Sequence, residues 1–188
     1  MYEIVKKHWV AAAGFIAIAL VAITPVLYFY LPLGVFLIFL HSPAYMIHQL
    51  EEHVNDRFRI FVNETLLGGR EALTTADVIW INVGLVWGSN LAALYAAYLF
   101  GVGWALIAPY LVLVNAVGHI AQALVKRSYN PGVITSVLIF LPLGATTLAV
   151  THASGLQHGF ALAFALVSHV SIVATVALHL RAARRLAA

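Results

Sequence analysis

The sequence predicts an all-α fold: an integral membrane bundle of six transmembrane helices, read as one transmembrane domain over residues 1–188, with N- and C-termini cytoplasmic. Three observations carry this expectation. The chain is 63% hydrophobic and 9% charged, with a mean hydropathy of +0.95, whereas soluble domains carry about 25% charged residues. Its apolar residues fall in six runs, each of at least the roughly 20 residues that a bilayer requires. All ten Lys and Arg residues fall on the N-terminus (Lys6, Lys7), two alternate loops (Arg57, Arg59, Arg70; Lys126, Arg127) and the C-terminus (Arg181, Arg184, Arg185). The three intervening loops have none, and the positive-inside rule then leaves both ends in the cytoplasm.

The first helix is expected over Trp9–Tyr30. Its charged start resembles a signal peptide, but the run exceeds an h-region of about 7–15 residues, so it reads as a retained helix. Leu31-Pro32 breaks it, and the second helix runs from about Pro32 to Asn55. Residues 56–74 read as a polar loop, with a glycosylation sequon at Asn63 that the orientation puts on the wrong side. The third helix starts at Thr74 or Thr75, with Asp77 in its first turn complementing the helix dipole, and continues to about Phe100. Gly101-Val102-Gly103 turns the chain into a fourth helix over Trp104–Lys126. Ser128–Gly132 is a turn that places Pro131 at the first position of the fifth helix, which ends near Thr151. The sixth helix runs from about Leu156 to Leu180.

Composition also excludes. There is no cysteine, so disulfides and thiolate sites are ruled out and any metal falls to His, Glu, Asp, Asn, Tyr or backbone. The net charge of +3 lies on loops, where topology explains it, and no nucleic-acid partner is expected. The expected partners are membrane lipids and a small apolar or lipid substrate. The sequence leaves the oligomeric state open.

The chemistry concentrates at the end of the second helix, in His48-Gln49-Leu50-Glu51-Glu52-His53. At about 100° per residue from His48, His41 lies near +20°, Glu52 near +40°, Tyr45 near +60°, Asn55 near −20° and Glu51 near −60°. His53, near +140°, points away and is assigned to the interface with no role. Residues at i, i+3 and i+4 meet on one helical face, the same reason that H-E-x-x-H chelates zinc from a helix. The order His48-x-x-Glu51-Glu52 on the second apolar helix of a small multi-pass chain resembles the HXXEE family. That resemblance implies a membrane protein and little mechanism.

Other helices repeat the pattern. On the fourth, His119 lies near +40° and Gln122 near −20° from Asn115. The third offers Asn82 and Ser89, and the sixth offers His169. A pocket about a third of the way into the membrane is expected to collect His48, Glu51, Glu52, His119 and His169. Asn115 and Asn82 are the candidate polar contacts for a bound cofactor. The plain alternative is that these groups only hydrogen-bond helices together, at below about 2 kcal/mol each. For His48-Glu51-Glu52 it is a cap solvated by headgroups. Acids inside a membrane are rare, costly and mostly functional, and two adjacent ones call for cations or protons.

Two carboxylates facing several imidazoles suit a divalent metal, zinc first and iron or manganese next. The expected ligands are His48, Glu52, His119 and His169, with Glu51 as general base, although the angles allow the two glutamates to exchange roles. Zinc with three protein ligands and a water would hydrolyse an ester or amide. Iron would oxidise an apolar substrate, but the usual di-iron pattern repeats E-x-x-H on two helices, and here H-x-x-E occurs once. A metal-free alternative resembles the CAAX-processing intramembrane glutamate peptidases, whose motif is E-E-x-x-x-R; here Arg57 lies one residue too far and the third motif, H-x-x-x-N, is absent. Haem binding or transport through the intramembrane His and Glu residues is the non-enzymatic alternative.

Overall fold

The computed structural model describes residues 2–186, with side chains from 3 to 182; Arg184 and Arg185, part of the charge pattern, lie outside the described side chains. The described residues form helices and turns and no strand. Six helices are long and apolar enough to cross a membrane: Glu3–Tyr30, Leu33–Leu66, Thr75–Phe100, Val102–Lys126, Val133–Val150 and Gly155–Ala182. They are called the first to sixth spans below.

Local chemistry sets the span boundaries. Pro32 caps the second span, and its first helix ends at His53. Asn55 and Asp56 then adopt left-handed backbone with φ of 59° and 60°, a conformation that Asn and Asp tolerate better than other side-chain-bearing residues. This kink redirects the chain into a further helix, Arg57–Ile60 continuing as a π-helical Phe61–Leu66, where the sequence predicted loop. The apolar positions Phe58, Phe61, Val62 and Leu66 provide its buried face beside the arginines, a pattern that the polar composition hid. Asn63 is buried there. Its Nδ2 donates to Leu73 O, and its Oδ1 accepts from the amides of Ala72 and Leu73, so the sequon asparagine braces the following loop.

The third span opens with Thr74 capping the amide of Asp77 while the Asp77 carboxylate accepts from the Thr74 amide, a reciprocal capping box. Its middle, Trp80–Trp87, is π-helical. The fourth span ends at Arg127 in left-handed conformation. The fifth begins at Val133, behind Gly132 with φ of 104°. Pro131 therefore sits in the turn rather than at the first helical position, because Gly132 must swing the chain first. The sixth helix covers Gly155–Leu186, and the first starts at Tyr2; both are longer than their apolar runs suggested.

The second and fourth spans form the middle of the bundle: 61% and 50% of their apolar windows are buried, against 11–28% elsewhere. The distribution of polarity is the reverse of a water-soluble bundle. Phe15, Phe29, Tyr98, Phe100 and Val170 face outward, while His41, His48, Gln49, Glu52, Asn82 and His119 are buried. Such a surface suits hydrocarbon, where polar groups must find partners inside the protein.

Candidate metal centre

His48 and Glu52 sit one turn apart on the second span, and His119 reaches them from the fourth. His48 Nε2 is 3.5 Å from Glu52 Oε2, and His119 Nε2 is 3.1 Å from Glu52 Oε1. One potential ligand atom from each of the three lies within 4.8 Å of the others, and all three side chains are buried. Phe140 of the fifth span packs against the His48 ring at a centroid distance of 4.3 Å.

Hydrogen-bond direction decides what these nitrogens present. His48 Nδ1 is 2.7 Å from Thr135 Oγ1. The single hydroxyl proton of Thr135 goes to Glu51 Oε2 at 2.5 Å, so the hydroxyl accepts from His48 Nδ1–H. His119 Nδ1 is 2.8 Å from Asn130 Oδ1, and the Asn130 Nδ2 donates to His119 O and Gln122 Oε1. The amide oxygen therefore faces the ring and accepts from Nδ1–H. When both imidazoles are neutral, Nε2 of each is left as a lone pair turned toward Glu52. His48 Nε2 is buried without a hydrogen-bond partner.

A second chain of bonds reaches Glu52 from the third span. The indole of Trp87 only donates, and it gives its proton to Gln49 Oε1 at 2.8 Å. Gln49 Nε2 donates to Asn82 Oδ1 at 2.9 Å, and Asn82 Nδ2 donates to Val78 O and, at 3.1 Å, to His53 Nε2. His53 Nε2 is thus also an acceptor, 3.3 Å from Glu52 Oε2. Three imidazole lone pairs surround one carboxylate, with no proton supplied between them. Only a cation resolves this arrangement: an additional proton on one ring, or a metal that takes several lone pairs at once.

The remaining expected residues are placed as follows. Glu51 turns to the fifth span, where its carboxylate accepts from the amides of Ile134 and Thr135, from Thr135 Oγ1 and from Tyr129 OH. It caps a helix start from across the bundle. Tyr129 lies in the turn outside the spans; its partial burial, then the carboxylate that it donates to, raise its phenol above the usual range. His169 is half-buried, donates from Nδ1 to Ala165 O and stands outside the three-residue group. Asn115 has a buried Oδ1 without a partner, and Asn82 serves the His53 chain. His53, to which the sequence assigned no role, is buried, with the Trp9 ring of the first span at a centroid distance of 4.9 Å and Asn82 of the third span donating to it. Sequence reasoning also missed Asn130, Gly132 and Thr135, which read only as a turn and a helix start.

A family model described as "Protein of unknown function with HXXEE motif" matches residues 39–147, more than half of the chain. The chain belongs to the HXXEE family. The match contains the motif His48-x-x-Glu51-Glu52 and also His119, Asn130, Gly132 and Thr135. In this HXXEE protein the motif histidine and second glutamate face the buried centre, while the first glutamate holds Thr135, which in turn holds His48. No curated protein and no solved structure matches the chain.

Proposed function

We propose that this HXXEE protein is a multi-pass membrane protein in which His48, Glu52 and His119 hold one divalent metal, and that the centre is catalytic toward a lipid or other apolar substrate. The observation that carries the reading is the convergence of imidazole lone pairs, with tautomers set by Thr135 and Asn130, on the buried Glu52 carboxylate. Metal-binding histidines characteristically anchor the far ring nitrogen on such a partner. Two histidines and one glutamate match a catalytic zinc site, which keeps its fourth position open; the metal would supply Lewis acidity and an activated water. In this reading Glu51 positions His48 through Thr135 and caps the fifth span, a role in place of general base. A second reading has a specific basis: two histidines and one carboxylate also form the iron triad of oxygenases. Elemental analysis of detergent-purified protein tests both, with about one equivalent of zinc supporting hydrolysis and of non-haem iron supporting oxidation. A folded, active preparation lacking metal would refute the proposal.

The outer groups give a graded test. Asn130→Ala and Thr135→Val are expected to weaken the metal about 10- to 100-fold each, the usual cost of removing a group that orients a ligand. Competition with a chromophoric chelator measures this; unchanged affinity in both variants would count against the ligand assignment.

The proposed orientation puts both termini in the cytoplasm, on the strength of the Lys and Arg distribution. Tags at residues 1 and 188 are expected to resist protease added to sealed cells. Digestion of either from outside would reverse the arrangement.

A further inference from the structure

We propose that Phe58 is the gate of the metal centre, hinged on the kink at Asn55 and Asp56, and that a substrate reaches Glu52 when its ring swings away. The proposal rests on the catalytic reading for what passes the gate, and on the kink alone for the movement. The centre is closed: His48, Glu52 and His119 are each at most 6% exposed. A substrate therefore needs an element that moves. Trp9, Tyr45, Phe58 and Phe140 pack on the histidines of the site. Trp9, Tyr45 and Phe140 are buried and stand on long helices. Phe58 is half-buried and lies beyond the kink, its ring centroid 5.7 Å from that of His119 and 5.9 Å from that of His53.

The kink is a strained hinge. Residues 53–57 contain no Gly or Pro, so no residue there forbids a right-handed helix. Asn55 and Asp56 are nevertheless left-handed, a conformation that side-chain-bearing residues avoid and keep only where their surroundings hold it. Three contacts hold it here. Arg57 Nε donates to Val54 O at 3.1 Å, the carbonyl that the Phe58 amide would take in a continuous helix. Arg59 donates to Asp56 Oδ2 and, at 2.7 Å, to Glu71 Oε1 in the loop before the third span. Phe58 packs on the cluster of Trp9, Val62, Leu73 and Val78. Ion pairs near the surface contribute little, so the closed form is held lightly. Relaxing the two residues redirects Arg57 and Phe58, while Asn63, bonded to Ala72 and Leu73, keeps the later helix in place. A few backbone angles at the end of an element are the usual form of a hinge. The ring leaves an apolar place, which suits the hydrocarbon part of a substrate.

Diethyl pyrocarbonate acylates accessible imidazoles, and mass spectrometry of the peptides reads each histidine separately. The detergent-purified protein is treated, and modification of His53 is referred to that of the exposed His8. His53 is buried against Phe58 and stands outside the three-residue metal group, so it reports opening with or without bound metal. Absence of metal would thus refute the catalytic reading and leave this measurement intact. Asn55 is exposed, and its substitution leaves the ring in place. Asn55→Gly, which takes a left-handed φ without strain, is expected to slow modification of His53 about three- to fivefold. Asn55→Ala, which resists that φ, is expected to speed it about five- to tenfold. Phe58→Ala is expected to bring His53 close to the rate of His8. Equal rates in Asn55→Gly and Asn55→Ala, or changes of the opposite sign, would overturn the proposal, and this comparison does not need Phe58→Ala to fold. A folded Phe58→Ala in which His53 stays as protected as in the wild type would overturn it as well.

Discussion

Alanine at His48, Glu52 or His119 is expected to reduce bound metal from about one equivalent to less than a tenth of that, since a three-ligand site does not survive on two ligands. The three variants differ in what they leave behind. Glu52→Ala removes the only carboxylate that the three imidazole nitrogens share. His48→Ala and His119→Ala lose the cation yet leave that carboxylate buried without a counter-charge, and an uncompensated buried charge costs about 3–5 kcal/mol. The histidine variants should therefore melt earlier than Glu52→Ala, although all three lose metal. Glu51→Gln is the contrast: its carboxylate lies on the fifth span's amides, so it should keep metal to within about tenfold and mainly loosen the start of that span. Elemental analysis with melting in detergent separates these results. Full metal content in Glu52→Ala would refute the assignment of Glu52 as a ligand.

Gly132→Ala is expected to disable the site without removing any ligand. The residue has φ of 104°, where an added Cβ is strained by about 1–3 kcal/mol. That Cβ would also lie 2.7 Å from His119 Cε1 and 2.9 Å from His48 Cε1. Neither ring has room to retreat: His48 is tied to Thr135 and backed by Phe140, and His119 is tied to Asn130. One methyl group must therefore break a ring's anchor or move the turn. Metal affinity should fall by about 100-fold, the upper end of the effect of groups that orient ligands. Gly69→Ala is the control, because Gly69 has φ of 82° but open space around it. It should show the backbone strain alone and bind metal normally. Equal metal affinity in Gly132→Ala and wild type would show that the turn does not hold the rings.

The sequence was most legible where one helix explains itself. The apolar runs located the spans, and the four-residue spacing put His48 and Glu52 together. The polar stripe of the fourth span pointed to His119. It was least legible where a second element intervenes. His53 lies about 100° round the helix from Glu52, outside the face drawn from His48, yet the Trp87–Gln49–Asn82 chain turns it back to the same carboxylate. Asn130 sits in a turn and Thr135 in the helix start behind it, and their composition announces only that; the partners of these side chains are histidines 11 and 87 residues away in sequence. Glu51 shows the limit of angular reasoning. It is next to Glu52, but it looks onto a different helix, and no periodicity in its own segment reveals that neighbour.

The bond from His48 to Thr135 also has a consequence for biosynthesis. His48 leaves the ribosome long before Thr135 does, and His119 and Asn130 emerge between them. A nascent chain that ends with the fourth span already carries both histidines and Glu52, but lacks Asn130 and Thr135, which set the ring nitrogen that keeps its proton. The proposed metal site is therefore completed late, when the turn after the fourth span folds back and the fifth enters. In the proposed metal reading, loading of the site then waits on entry of the fifth span, with the sixth still to follow in the chain.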